Sequence, residues 1–81
     1  MTSQRAGSGF RVEKDARVSL RIYDVHGRLV RTLVDELMAA GPKRLTWDGR
    51  DDLGRAMASG AYYLRLQGGG TQVSRTINLL K

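Results

Sequence analysis

The sequence contains no cysteine, one proline and one histidine. The lack of thiols excludes a disulfide framework, a thiolate metal site and a cysteine nucleophile, and it leaves the compartment undecided. With only His26 available, no multi-histidine metal site can form within one chain, and its position in a turn reads as an exposed loop residue. No apolar run approaches the length of a membrane helix, so membrane insertion is not expected. Residues 1–10 lack the apolar core of a signal peptide, so any export signal is expected to lie outside these residues. Aromatics are few, one Trp, three Tyr and one Phe, and each must therefore count in a core or on a contact surface.

A chain of 81 residues has room for one domain, which buries roughly 60–65% of the surface its unfolded form exposes. Ordering the backbone costs about 1–2 kcal/mol per residue, which leaves few positions free of packing to shape a catalytic pocket. The net charge of +6 comes from 11 Arg and 3 Lys against 8 acids. That balance suits anionic surfaces, but the arginines are spread over the whole chain at polar positions of alternating segments. They do not cluster with exposed aromatics, so no specific nucleic-acid reader is expected and the charge reads as a solvated face.

Residues 1–9 end in small, flexible types and read as a flexible arm or linker ahead of one domain over 10–81. Phe10 to Glu13 is a short candidate edge strand, expected to pair with the clearest strand, Arg17 to Tyr23, where Val18, Leu20 and Ile22 share a face. Asp24-Val25-His26-Gly27 turns the chain, with Gly27 supplying the left-handed residue. Arg28 to Val34 returns as the partner strand, its paired apolar residues implying a bulge or two-sided burial. Asp35 to Ala40 has helix-forming composition cut short by Gly41-Pro42, and reads as a loop with one helical turn.

Lys43 to Asp48 alternates again with Leu45 and Trp47 inward, and turn residues fill 49–60. Ala61 to Gln67 places Tyr62, Leu64 and Leu66 on one face, Gly68-Gly69-Gly70 turns, and Gln72 to Leu80 runs out with Val73, Ile77 and Leu79 inward. Arg75 falls on that apolar face and is expected at the sandwich edge, its stem packed and its head in water. Six to seven short strands and no long helix predict an all-β, immunoglobulin-like or fibronectin-like antiparallel β-sandwich.

Candidate chemistry is weak throughout. Asp48-Gly49-Arg50-Asp51-Asp52 spaces carboxylates like a calcium loop, but Arg50 stands where an oxygen ligand is needed and no downstream bidentate Glu follows. The expected alternative is a hairpin stabilised by Asx turns, with Gly49 and Gly54 at positive φ. Asp51 and Asp52 are expected to be solvated with unshifted pKa values. The triple glycine is followed by neither Lys-Ser/Thr nor a helix, so it is no phosphate loop. No enzyme activity and no cofactor are expected. Trp47 and Tyr62 read as core, and Tyr23 and Tyr63, on the opposite faces of their strands, as the aromatics available to a contact surface.

Four pieces in fixed order carry a family resemblance: Leu20 to Leu33, Ala40-Gly41, Thr46 to Gly54 and Ser59 to Tyr63. Over roughly residues 17–81 the chain resembles the immunoglobulin-like domain of the flagellar hook-capping protein, which is itself similar to the C-terminal sorting domains of type IX secretion. The resemblance singles out Gly27, Trp47, Asp48, Gly49, Gly54, Gly60, Tyr62, Ile77, Leu79 and Lys81 as family-motif and sorting candidates. It implies a C-terminal sorting or anchoring module of a secreted or cell-surface bacterial protein, read by export machinery. The alternative is a structural self-assembly or docking domain that meets a neighbouring subunit. Sorting domains have an Asn-Pro-rich approach to their first strand, and here Pro42 is the only proline.

Overall fold

The computed structural model describes residues 6–80, with side chains from residue 9 onward and Thr71 excepted. Six strands form: β1 Ala6–Val12, β2 Ala16–Tyr23, β3 Leu29–Met38, β4 Gly41–Trp47, β5 Gly60–Gly68 and β6 Thr71–Leu79. They make two antiparallel sheets, a pair β1-β4 and a four-stranded sheet in the order β3-β2-β5-β6. Alternation decides which face is buried. Val18, Leu20 and Ile22 of β2, Tyr62, Leu64 and Leu66 of β5, and Leu79 of β6 pack against Phe10, Val12 and Trp47 from the smaller sheet. The result is an immunoglobulin-like β-sandwich with its core between the sheets.

Three sequence expectations are corrected. The first strand begins at Ala6, inside the segment read as an arm, and pairs with β4, with Phe10 opposite Lys43. Pairing with β2 is closed to it because β3 and β5 occupy both edges of β2. Crossing to the other sheet brings Phe10 and Val12 onto the core. The segment 35–38 is not a helical turn: β3 runs on to Met38, opposite Ala16. Helix propensities differ by only a few tenths of a kcal/mol per residue, and ladder bonds to β2 outweigh them. Strand β4 starts at Gly41 and includes Pro42. It tolerates the proline because β1 is its only partner strand, so one side of its backbone has no ladder bond to lose.

The bulge expected in the second hairpin is present. Leu20 pairs with Val34 and Arg21 with Thr32, leaving Leu33 unmatched, and a second shift follows between Ile22 and Tyr23. Arg75 faces inward in register with Leu64 but is exposed, and its Nη1 donates to the Gly9 carbonyl at 2.6 Å. That bond ties β6 to β1 at the sandwich edge.

Candidate functional site

Two loops at one end of the sandwich share the spacing Asp-x-x-Gly-Arg, at 24–28 and 51–55. Each closes in the same way. The Oδ1 of Asp24 accepts the N–H groups of His26 and Arg28 at 2.9 and 3.0 Å, while Oδ2 accepts Nε of Arg28 at 3.1 Å. The Oδ1 of Asp51 accepts the N–H groups of Leu53 and Arg55 at 3.0 and 2.9 Å, and Oδ2 accepts Nε of Arg55 at 2.9 Å. Gly27 and Gly54 take φ of 79° and 82° at the matching position, which is why glycine stands there. The common spacing is the sequence signal that marks the two loops as a pair.

The longer loop is bound to the edge of β3. The N–H of Asp52 donates to the Val30 carbonyl, and its Oδ1 accepts the N–H of Thr32, both at 3.0 Å. Arg31 donates through Nη1 to Oδ1 of Asp48 at 3.1 Å and to the Arg50 carbonyl at 3.2 Å. The same carbonyl receives Nε1 of Trp47 at 2.8 Å. Asp48 makes the expected Asx turn with the N–H of Arg50, and Gly49, at φ 79°, accepts the N–H of Met57. Tyr62 meets Trp47 edge to face with centroids 5.0 Å apart and donates its hydroxyl to the Ala58 carbonyl.

Gly27, Trp47, Asp48, Gly49, Gly54 and Tyr62 thus converge on one end, where they build the corner. Gly60 opens β5 opposite Leu79. Leu79 is fully buried and Ile77 half-buried against the core, so neither is displayed. Lys81 lies outside the described residues.

Between the two loops lies a groove of about 370 Å³, lined by the two Asp-Arg pairs with Leu29, Leu53 and Met57 among its apolar walls. Asp51 is buried, contrary to the expectation that it is solvated, and its pKa lies below the ordinary 3.8. The N–H of Arg55 is the main cause, opposed by burial and reinforced by the Arg55 guanidinium. Asp24 is lowered in the same way, first by the N–H of Arg28. The Tyr62 phenol is raised, by burial first and then by the charge of Asp24. Asp24 and Asp51, two of the three carboxylates that line the groove, are held ionised by their own loops, the reverse of what a general acid at neutral pH requires. Among the described residues no group of three His, Cys, Asp or Glu could hold a metal.

A carboxylate whose pKa is depressed in the folded state stabilises that state above its unfolded pKa and loses the contribution as pH falls through the folded value. The urea midpoint is therefore expected to fall as pH drops from about 5 to below 3.8. Asp51→Asn, which removes the charge-assisted bond to Arg55, should lower the midpoint at neutral pH and flatten this acid dependence. An unchanged slope in that variant would remove Asp51 from the explanation.

A second surface is the outer face of the larger sheet. Tyr23 and Tyr63 sit directly opposite each other on its two central strands, with Arg65 over the Tyr23 ring at 5.8 Å. Tyr63 is exposed and Tyr62 buried, as the alternation predicts.

The family model described as FlgD Ig-like domain matches residues 2–72. Among solved structures, FlgD from P. aeruginosa is similar with a TM-score of 0.75 and 23% identity, over 98% of this chain and 64% of that one. FlgD from Xanthomonas campestris, described for the hook capping essential for flagellar assembly, gives 0.72 and 26%, over 94% and 56% respectively. The chain spans less than two thirds of either. No curated protein matches it.

Proposed function

Since this chain belongs to the FlgD Ig-like domain family, we propose that it is a non-catalytic docking module that helps hold a bacterial assembly together outside the cytoplasm, as a hook-cap-like scaffold does. The observation that carries this reading is the family match over residues 2–72. The site's chemistry agrees with it, because the groove's carboxylates and the only Trp are committed to loop and core bonds. No helix among the described residues is long and apolar enough to cross a membrane, and the partner on this reading is another protein.

The sorting reading is less well supported. The similar structures are FlgD proteins, one of them described for hook capping, and a receptor reading Leu79 would have to open the end of the β5-β6 ladder, where Leu79 is buried opposite Gly60. In the native cell, a tagged copy of the chain should separate with assembled material, and the Trp47→Ala variant, which loses the fold, should stay in the free fraction. Equal incorporation of the unfolded variant would overturn the scaffold reading. A reporter given a separate signal peptide and carrying the whole chain at its C-terminus, expressed in a host with type IX export, should remain in the periplasm. Delivery to the cell surface would establish sorting instead.

A further inference from the structure

The outer face of the four-stranded sheet carries an unusual mixture for a solvated surface. Strand register places Arg17, Arg21 and Tyr23 of β2 beside Tyr63 and Arg65 of β5, with Leu29, Asp35 and Leu37 on β3. Three of the exposed large hydrophobic residues, Leu29, Leu37 and Tyr63, therefore lie on this one face. Its charge is unbalanced. Among the described residues Asp35 is the only carboxylate on it, bound to Nε of Arg17 at 3.0 Å and 4.0 Å from Nη2 of Arg21. Arg65 and the Tyr63 hydroxyl make no hydrogen bond among the described residues, and a groove of about 300 Å³ opens beside them, lined by Tyr23, Leu64 and Ser74.

We propose that this face docks an extended acidic segment of another protein, with Tyr63 as the apolar anchor and Arg21 and Arg65 receiving its carboxylates. The inference rests on the scaffold reading and names the chemistry of the partner. Tyrosine and arginine are the residues that dominate protein contacts, since each brings a large rigid body and a polar tip. The side chains here are mainly donors: guanidinium, phenol and the hydroxyls of Ser74 and Thr76 opposite Arg65 and Tyr63. Carboxylates are their matching acceptors.

Two alternatives fit less well. A second copy set face to face would oppose Arg17, Arg21 and Arg65 to themselves, which like charges disfavour. The area is also small: four strands at ~4.8 Å by eight residues at ~3.4 Å give about 500 Å², below the roughly 800 Å² per partner of a stable interface. A stacked base would need an open ring face, and the guanidinium of Arg65 already lies over Tyr23.

The test is fluorescence anisotropy on the whole chain with a labelled peptide of about ten residues, long enough to cross the sheet, in which Glu alternates with Leu and Ser. Tyr63→Ala and Arg65→Glu should each weaken binding by about tenfold. Arg44→Glu, an equal charge change on the exposed face of β4, should weaken it much less. Oligothymidine of equal charge should bind more weakly than the peptide. Equal losses in Arg65→Glu and Arg44→Glu would show that net charge alone is read, and tighter binding of oligothymidine that depends on Tyr63 would make the face a nucleic-acid platform; either result overturns the proposal, as does no measurable peptide binding. Failure here is separable from failure of the scaffold reading. If Trp47→Ala blocks incorporation while Arg65→Glu binds the peptide like the parent, only the assignment of this face is wrong.

Discussion

Trp47→Ala is expected to leave the domain largely unfolded at 37 °C. The side chain is 1% exposed, packs edge to face on Tyr62 and donates to the carbonyl of Arg50, which also takes a bond from Arg31. Truncating a buried Trp costs about 3–5 kcal/mol, and a domain of this size has about 4–8 kcal/mol in all. The change removes a wall of the core and the bond by which β4 holds the Arg50 carbonyl of the 48–57 loop. Tyr62→Ala should be nearly as damaging, since it also loses the 2.6 Å bond to Ala58. Tyr63→Ala, on the outer face, should cost less than about 1 kcal/mol. Urea denaturation followed by circular dichroism would order the three, and a Tyr63→Ala variant as unstable as Trp47→Ala would invert the inward face of β5.

Gly68→Ala is expected to destabilise the domain strongly. The residue has φ of 126° and closes the central ladder opposite Val18. A Cβ there would overlap the Arg17 carbonyl oxygen and stand 2.9 Å from Cα of Val18, both of them backbone. Backbone strain and forced separation of β2 from β5 together should cost about 2–5 kcal/mol. Gly70→Ala supplies the control. It also has positive φ, but its Cβ would meet only the flexible Lys14 Cε, at 3.6 Å, so about 1 kcal/mol is expected. Thermal melts of the two variants measure the difference, and equal shifts would show that close approach at Gly68 plays no part.

Much of this fold was legible in the sequence because period-two alternation is an unambiguous instruction where one face is buried. Val18, Leu20 and Ile22, and Tyr62, Leu64 and Leu66, gave the two central strands and their inward faces. The positive φ of Gly27, Gly49 and Gly54 followed from turn chemistry. What could not be read depends on partners distant in sequence. Phe10 and Val12 carry the same apolar signal whichever strand they pair with, and occupation of both β2 edges sends them to β4. The helix-like composition of 35–38 yielded to a ladder whose other half, Ala16 to Ser19, lies well upstream.

The candidate site followed the same division. The resemblance singles out the motif residues, and the structure gives six of them, Gly27, Trp47, Asp48, Gly49, Gly54 and Tyr62, a constructional task at the loop end. Burial of Asp51 was invisible because it arises from Arg55 closing over a carboxylate that a turn would ordinarily leave in water. Tyr63 was marked as available by alternation alone, but its company with Arg21, Arg65, Leu29 and Leu37 depends on the strand order β3-β2-β5-β6.

The central claim, that this domain holds a neighbouring protein through the outer face of its larger sheet, is tested most directly by photo-crosslinking in the native assembly. A benzophenone amino acid would replace Tyr63 in the full protein, or Arg44 on the opposite sheet. The account predicts a discrete adduct with another protein from position 63 in the assembled fraction and none from position 44. Adducts from position 44 alone, or from neither position, would contradict it.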